Sequence, residues 1–573
     1  MRASSSLPVV LVENPPVEVM VESFLDETPD FGYIPVLITL RNHRPESQNF
    51  YLRYTAGGLS GASRLQVDGN ARSQTYVYVP IVSRGGVTLT LSGPGVRSGT
   101  IHLNSHWSSL QAYVGMGDRT AADYWVSVQQ NLSSGGSSSS QLVGTKITPA
   151  GAPADWRAYT GFSSLWFNSA EWSDLDPGAR AAILEWVGLG GNLYFLFENN
   201  NQRNALKIPD LVEVSGKSKD VEGRLGFGKI AFLKQKSNSV SAKRDFIRLI
   251  SSTINTERPI IFKYPGNKNT MSHGHSYHSS IVNGDEETSA SSWPLVDIVG
   301  ELGRNVGILS LFMVIFAILI GPVNFFFFAP SRRRYRILWT TPLISIGASI
   351  LLGLVILIGD GTGGQGARLT LACLLPEQKR LVVQQEQVSR TGLLLGKKFD
   401  YDDAALLQPV AIRSSSESNS YLRTDTGWAG DWFSSRAVQA HFAQTVRTAR
   451  SSVRVTLPKD GKPGSVNASL DIALAELYVI APDGAIYKAS GLTPGVKRPL
   501  ELVRTDEEYP EWWEKQTGAA SSALKAAVKT STGRHGWFYA RAENPAELAQ
   551  ATLDSIRWTT DTAVITGPAG FEE

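Results

Sequence analysis

Two long uncharged apolar runs stand out in the pattern of hydrophobic and polar positions along the chain. They cover residues 306–328 and 337–358, and each is long enough for a helix that crosses about 30 Å of hydrocarbon. Backbone polar groups in lipid must be satisfied within their own segment, so both runs are predicted to be helical. A buried core helix is the alternative, but only eight residues separate the two runs. The pattern therefore predicts a two-helix transmembrane hairpin over residues 305–360.

The arginine loop, residues 329–336 between the two runs, is strongly basic. It carries Arg332, Arg333, Arg334 and Arg336. Within about 15 residues beyond each run, the only basic residues are Arg304 and Arg368. Because basic residues in short loops favour the cytoplasmic side, these four arginines are predicted topology determinants, and both large flanking regions are expected outside the cytoplasm. The alternative is a nucleic-acid or lipid-headgroup patch, but so short a loop at a bilayer surface reaches little besides lipid phosphate.

Small residues recur every fourth position in the second run. They are Thr341, Ser345, Ser349 and Gly353. In a helix this spacing places them on one face, where small side chains let another helix approach closely. We expect this face to receive the first span. Small residues are also simply common in membrane helices, which is the alternative explanation.

Short alternating apolar segments dominate the first hundred residues. Segments such as Tyr33–His43, Thr75–Ser83 and Gly86–Gly93 are rich in Val, Ile, Thr and Tyr and are separated by Gly, Asn, Ser and Pro. Segments of this kind at such spacing are typical of a sandwich. Residues 1–106 are therefore predicted to form an immunoglobulin-like β-sandwich whose role is packing and spacing.

Strands and helices alternate from Leu110 onward. A helix is indicated between the strands Ser163–Asn168 and Asn192–Phe197, with Pro177 at its start and two glycines at its end. This alternation predicts a parallel sheet with helices on its faces over residues 107–300, in which the Ser/Gly-rich segment Ser133–Gln141 is a surface loop.

Beyond the second run, residues 366–573 are predicted to form a C-terminal β-rich (α+β) domain. Asp483 and Gly484 mark a hairpin turn there. The tryptophans of this region are expected to pack in the core or at sheet edges rather than to form a ligand cage: Trp512, Trp513, Trp537 and Trp558. The predicted fold class is thus multidomain α/β plus β.

Three stretches of the sequence resemble an uncharacterised bacterial membrane protein family. Pro153–Phe197 resembles its class I glutamine amidotransferase-like domain, Gly321–Leu343 its transmembrane helical hairpin, and Leu477–Gly495 a carboxy-terminal β-segment. The resemblance implies a flavodoxin-like fold for residues 107–300 and a location in the bacterial inner (cytoplasmic) membrane. A working amidotransferase needs a cysteine on a glycine-flanked elbow with a later His and Glu. The single cysteine, Cys373, lies beyond both apolar runs, so the resemblance implies the fold and not the activity.

Two further motifs resemble a phosphate-binding loop and a zinc site. Gly223–Ile230 contains the glycines and lysine of a phosphate-binding loop, but Ile230 stands where Ser or Thr is required. The following residues are typical of a strand, so a glycine turn is predicted instead. His273, His275 and His278 could hold zinc, but a solvated loop is preferred because no regular element places a carboxylate beside them. We predict no catalytic residue, no cofactor and no metal site.

Composition adds three constraints. A net charge of +3 with 19% charged residues does not describe a nucleic-acid-binding protein. One cysteine excludes an internal disulfide and a cysteine-based metal cluster. The apolar segment Leu7–Val12 is shorter than the roughly 7 to 15 residues of a signal-sequence core. Since export of the amino-terminal region needs such a segment, we expect a signal or anchor upstream of Met1.

Two function classes follow from these patterns. The preferred one is a non-catalytic integral membrane envelope protein whose extracytoplasmic domains bind a protein partner or a polymer, with membrane lipid as its surroundings. The alternative is a hydrolase or transferase built at the carboxyl ends of the parallel strands, where α/β sheets bind ligands. Its candidate residues are Asp118, Arg119, Asn168, Glu171 and Glu198. Polar residues at strand ends are usually helix caps, which favours the first class.

Overall fold

The protein is described from a computed structural model. The residues that the structure describes are 7–8, 17–25, 28–29, 32–82, 86–94, 96–103, 111–122, 141–214, 221–234, 250, 293–300, 306–330, 333–400, 402, 404–410, 412, 420–424, 427–459, 463–505 and 507–572.

Antiparallel strands build the amino-terminal region. They are β1 (Leu7–Pro8), β2 (Val17–Ser23), β3 (Gly32–Asn42), β4 (Gln48–Ala56), β5 (Leu59–Val67), β6 (Arg72–Ile81), β7 (Val87–Gly93) and β8 (Val96–Leu103). One sheet has the order β1-β2-β3-β6, and a second contains β5-β4-β7-β8. Strand β4 alternates between buried and more exposed positions and turns Phe50, Leu52 and Tyr54 into the core. This period of two is what a strand with one buried face requires, and the predicted β-structure is confirmed here.

A mostly parallel sheet follows. Its strands are β9 (Gln111–Gly117), β10 (Gln141–Ile147), β11 (Ser164–Asn168), β12 (Asn192–Phe197), β13 (Val212–Val214), β14 (Val221–Leu225) and β15 (Gly228–Lys234). Its α-helices are α1 (Ser169–Asp174), α2 (Pro177–Gly188) and α3 (Asn200–Asn204), and short 3-10 turns span Pro149–Gly151 and Trp156–Tyr159. The strand order is β10-β9-β11-β12-β15-β14-β13, with the first five parallel and the last two antiparallel.

That order places the second strand beside the first and the third on the first strand's other side, as in doubly wound sheets. Strand β12 is buried along its whole length, as expected of a strand covered on both faces. The Gly223–Ile230 segment forms the tight turn between β14 and β15, with Gly226 at a φ of +55°. The prediction of a glycine turn instead of a phosphate loop is confirmed.

The two apolar runs are helical. A short helix α4 (Pro294–Val299) precedes them, and the first run is α5 (Val306–Ile318) continued by a π-helical segment (Leu319–Phe328). A 3-10 turn (Arg334–Arg336) leads into the second run, α6 (Ile337–Asp360). Both runs are long and apolar enough to cross a membrane. Pro322 lies inside the π-helical segment, which is consistent with the backbone donor that proline lacks.

The remaining chain is dominated by strands. They are β16 (Gly364–Leu375), β17 (Arg380–Thr391), β18 (Leu406–Val410), β19 (Tyr421–Thr424), β20 (Gly427–Gly430), β21 (Val438–Thr448), β22 (Val453–Thr456), β23 (Ser465–Ala468), β24 (Leu474–Ile480), β25 (Ile486–Leu492), β26 (Lys497–Pro499), β27 (Glu501–Leu502), β28 (Trp537–Ala542), β29 (Ile556–Pro568) and β30 (Gly570–Glu572). Helices α7 (Glu508–Thr517) and α8 (Ser522–Ser531) and a 3-10 turn (Pro545–Glu547) complete it.

Most of these strands form a nine-stranded sheet with the order β18-β21-β17-β16-β29-β28-β24-β25-β27, and four others form the sheet β26-β23-β22-β30. Gly484, at a φ of +93°, closes the β24–β25 hairpin at the predicted turn. Trp512, Trp513 and Trp537 are buried, and Trp558 is half-buried beneath the Arg368 guanidinium. The aromatic side chains therefore pack in the core, as expected.

Strands β19 and β20 do not join the neighbouring nine-stranded sheet. They extend the amino-terminal sheet instead, where β19 pairs parallel with β5 and the Tyr421 N–H donates to the Gly58 carbonyl at 3.0 Å. One hydrophobic cluster includes Phe50, Trp186 and Trp428, which come from three predicted domains. The mixed α/β class with extensive β-structure is confirmed, but the body is assembled from residues on both sides of the hairpin. The predicted domain boundaries stay predictions.

Candidate functional site: the apolar hairpin and its supporting body

The hairpin exposes large apolar side chains instead of burying them in the body. Phe327 is 80% exposed and Trp339 is 79% exposed. Leu338 and Leu343 are exposed as well. A core helix of similar composition would be covered by protein, whereas contiguous apolar surface of this kind marks a site of interaction with a membrane or a protein.

A polar contact links the two halves of the hairpin. Asn324, in the π-helical segment, is 2% exposed, and its Nδ2 donates to Thr341 Oγ1 at 2.9 Å. The Asn324 Oδ1 has no hydrogen-bond donor among the described residues. Sequence inspection missed Asn324, although a lone amide in an apolar run is the signal that could have identified it.

The residues of the predicted small-residue face differ in burial and in contact with the first run. Thr341 meets the first run through Asn324, and Ser345 is half-buried. Ser349 is exposed, and a Cβ added to Gly353 would have no atom within 4 Å. The hairpin contact observed here therefore lies at the loop end of the face, and its role in helix packing stays a prediction.

The arginine loop is exposed where the structure describes it. Arg333, Arg334 and Arg336 are solvent-accessible, and Arg332 lies outside the described residues. The Arg334 guanidinium carbon lies 5.5 Å from the centre of the Phe325 ring. No aspartate or glutamate occurs between residues 302 and 359. The loop therefore carries concentrated positive charge beside an apolar surface.

Both ends of the hairpin are attached to the nine-stranded sheet. Before it, α4 packs on β16 and β17 and buries Leu295. After it, the Gly363 N–H donates to the Leu393 carbonyl, and the Gly364 N–H donates to the Ser555 carbonyl at 2.9 Å. Gly363 has a φ of +81°, a conformation that glycine adopts without a steric penalty. Entry to and exit from the hairpin are consequently held by the same structural element.

A buried interface, which we call the seam, joins the end of α2 and the segment around Asp210 to β17, β21 and the turn between β16 and β17. The side-chain amides of Gln384 and Gln444 both donate to the Leu189 carbonyl, at 2.7 Å and 3.1 Å. Leu189 follows the last residue of α2, where helix carbonyls lack partners within the helix. Arg380 forms an ion pair with Glu185 across the same interface. The C-terminal sheet therefore satisfies the end of a helix from the other side of the hairpin.

Asp210 adds a second polar contact to the seam. Its carboxylate accepts from the Glu377 and Gln378 backbone N–H groups, at 3.1 Å and 3.0 Å. Burial raises the pKa of Asp210, and nearby Glu377 raises the pKa further, while the two backbone hydrogen bonds oppose the change. Asp210 has a φ of +58°, a strained conformation for a residue other than glycine. The position is thus held by its contacts to the β16–β17 turn.

The candidate enzyme residues do lie at the carboxyl ends of the parallel strands, but they are engaged in internal contacts. Glu171 is buried and accepts from the Thr120 N–H at 2.7 Å, the Thr120 hydroxyl at 2.7 Å and the Asn168 N–H at 2.8 Å. Asn168 in turn accepts from the Glu171 N–H and completes a capping box at α1. This carboxylate ties the ends of β9 and β11 together.

Asp118 and Arg119 have side-chain partners, and Glu198 has a partner through its backbone. Asp118 pairs with Lys146 at 3.0 Å, and Arg119 pairs with Asp174 at 3.5 Å. The Glu198 N–H donates to Gln202 at 2.7 Å. These contacts are those of helix starts and surface ion pairs.

Cys373 and His441 are both buried on strands of the nine-stranded sheet. Burial raises the pKa of the Cys373 thiol to about 12, so the reactive thiolate is disfavoured. Burial lowers the pKa of His441 to about 4, against a smaller opposite effect of its hydrogen bond to the Trp432 carbonyl. In the part of the chain that the structure describes, no three His, Cys, Asp or Glu side chains are grouped to hold a metal ion. The predicted histidine loop at 273–278 lies outside the described residues.

Comparison with known proteins leaves the family open. No family model and no curated protein matches the sequence. Among solved structures, a cycloisomaltooligosaccharide glucanotransferase from Paenibacillus sp. is 11% identical with a TM-score of 0.16, over 41% of this chain and 36% of that one. An exo-chitosanase from Amycolatopsis orientalis is 10% identical with a TM-score of 0.14, over 31% and 23%. The chain thus spans well under half of these structures, and similarities this low carry no argument about function.

Proposed function

We propose that this protein is a non-catalytic integral membrane protein. In this proposal the hairpin anchors it in the bacterial inner membrane as a two-pass protein, and the body outside the cytoplasm binds a protein partner or an envelope polymer. One observation carries the proposal: residues before and after the hairpin share a β-sheet through β5 and β19. A two-span hairpin returns the chain to the side of the membrane from which it came, and a shared sheet requires that arrangement.

The residues around the arginine loop support its placement in the cytoplasm. Tyr335 and Trp339 are exposed next to the arginines, and such aromatic side chains favour the membrane–water interface. Positive charge in a short loop favours the cytoplasmic side. The aromatic side chains support a position of the loop end at a membrane–water interface, and the positive charge supports the cytoplasmic side for the loop and the outer side for the body.

The strand-end residues support a non-catalytic role. A general base must lie within reach of a substrate, but Glu171 is buried, and its carboxylate accepts three hydrogen bonds that link the ends of β9 and β11. The order of the parallel strands is compatible with a flavodoxin-like domain of the kind that the family resemblance implies. In our proposal this domain retains the fold and serves as structural support within the body.

Cysteine labelling tests the topology. The background is Cys373→Ser, and an export signal is fused ahead of Met1 in a bacterial host. Exposed sites before and after the hairpin, Glu46→Cys and Lys497→Cys, should react with a membrane-impermeant maleimide in intact spheroplasts. Tyr335→Cys should react only after permeabilisation. Labelling of one body site without the other, or of Tyr335→Cys alone, would refute the proposed arrangement.

A pull-down tests the binding role. Full-length protein extracted in mild detergent should recover a stoichiometric envelope partner or polymer. Absence of a partner, together with turnover of an ester or amide panel that is lost in Glu171→Gln, would support a hydrolase or transferase instead. Unchanged tryptophan fluorescence of that variant would show that the body remains folded.

A further inference from the structure

A cavity of about 360 Å³ lies at the loop end of the hairpin, between the π-helical segment and the start of α6. Ile320, Pro322, Phe325 and Ile337 supply apolar walls. The volume falls within the range of small-molecule pockets, roughly 300 to 1,000 Å³. It is too small for a partner helix, which is about 10 to 12 Å across with its side chains.

The polar part of the cavity has unused hydrogen-bonding capacity. Asn324 and Thr341 both line it, and Asn324 is 2% exposed with an Oδ1 that has no donor among the described residues. A buried acceptor without a donor is costly. A ligand that brings a hydroxyl group would satisfy it.

Two arginines adjoin wall residues of the cavity, and we call this part of the wall the rim. Arg334 sits over Phe325, a wall residue, and Arg336 directly precedes Ile337, another wall residue. Both arginines are exposed, and residues 302–359 contain no acidic side chain. Guanidinium groups bind phosphate oxygens through paired hydrogen bonds. The rim therefore has the charge that a phosphodiester requires.

We propose that the cavity binds one anionic phospholipid with a hydroxyl-bearing headgroup. Its phosphate lies against Arg334 and Arg336, a headgroup hydroxyl donates to Asn324 Oδ1, and the first part of an acyl chain follows the apolar walls. The ligand has three parts, which match the charged rim, the buried amide and the apolar wall. This inference rests on the proposed insertion of the hairpin into a membrane.

The test uses full-length protein reconstituted in phosphatidylcholine vesicles that contain a trace of photoreactive phosphatidylglycerol. Crosslinks should map to residues 320–341. Unlabelled phosphatidylglycerol added to these vesicles should compete at a concentration about tenfold lower than added phosphatidylethanolamine of equal chain length, since each interfacial arginine contributes to anion binding. Glycerol phosphate at equal concentration should not compete, because it lacks the acyl chain.

A matched pair of variants separates the cavity from the general lipid surface. Gly321 lines the cavity and Gly347 does not, and a Cβ added to either would have no atom within 4 Å. Gly321→Leu should fill the cavity and reduce crosslinking about tenfold, whereas Gly347→Leu should leave crosslinking unchanged. Arg334→Gln combined with Arg336→Gln should abolish the preference for phosphatidylglycerol.

The outcomes are distinguishable. Equal competition by both lipids, equal crosslinking in the two glycine variants, or competition by glycerol phosphate would each overturn the lipid site. Protein that carbonate extracts from the vesicles would overturn the membrane proposal itself. Protein that stays inserted without a lipid preference would overturn only the lipid site.

Discussion

Replacement of His441 by Gln should remove a pH dependence of stability that the wild-type protein carries. His441 is buried, its Nε2 lies 2.9 Å from the Trp432 carbonyl oxygen, and its Nδ1 has no partner among the described residues. A carbonyl oxygen only accepts, so Nε2 carries the proton and Nδ1 is bare. Protonation of Nδ1 would create a buried charge and a donor without an acceptor, which is why burial lowers the pKa to about 4.

The direction in which stability changes with pH follows from the pKa values of this histidine in the folded and unfolded chains. An unfolded histidine titrates near 6.5, so acidification from about pH 7.5 to about pH 5 protonates the unfolded chain while folded His441 stays neutral. Stability is therefore fully present above about pH 6.5 and is lost as the pH falls, until the loss levels off near pH 4. The difference between the two pKa values corresponds to a total stability loss of about 3 kcal/mol, of which about 2 kcal/mol is lost by pH 5.

The assay is urea unfolding of the detergent-solubilised protein at the two pH values, followed by tryptophan fluorescence. Because carboxylates also titrate, the informative quantity is the difference between wild type and His441→Gln. The wild type should lose about 2 kcal/mol more than the variant on acidification. His535→Gln, at an exposed position, is the matched control and should behave as wild type. Equal acid losses in wild type and His441→Gln would refute the reasoning.

Three further outcomes are expected. Gln384→Leu and Gln444→Leu should each lower the free energy of unfolding in urea by about 1 kcal/mol. The double variant should lose more than the sum of the two, because the Leu189 carbonyl then loses both side-chain donors; additive losses would contradict this shared contact. Cys373→Ser should leave function intact, and native wild-type protein should resist alkylation until it is denatured, since the thiol is buried; loss of function in folded protein would indicate a thiol role. Thr341→Val should reduce disulfide crosslinking between cysteines placed in the two runs, because it removes the hydrogen bond to Asn324, worth about 0.6 kcal/mol. If the small-residue face receives the first span, Ser349→Leu should reduce the crosslinking further; unchanged crosslinking in Ser349→Leu would confine the contact to the loop end.

Local sequence patterns predicted the two helices of the hairpin, but not the contact between them. The two apolar runs, the arginine loop and the small-residue spacing are local patterns, and the helices lie where those patterns place them. The π-helical form of residues 319–328 was not predicted, because i to i+5 hydrogen bonding leaves no period in a uniformly apolar sequence. Asn324 was visible as a polar residue, but its contact with Thr341 depends on how the two runs meet.

The sequence by itself determined the elements whose signal is local: two apolar helices, alternating strands, the glycine turn at Gly226 and the hairpin turn at Gly484. Backbone preference and hydrophobic period act over a few residues, so they can be identified in one stretch. Only the tertiary structure decided that β19 extends the sheet of β5 and that two glutamines of the C-terminal sheet satisfy the end of α2. Those pairings join residues hundreds of positions apart, and the same strand or amide would suit many partners until packing of the whole body selects one.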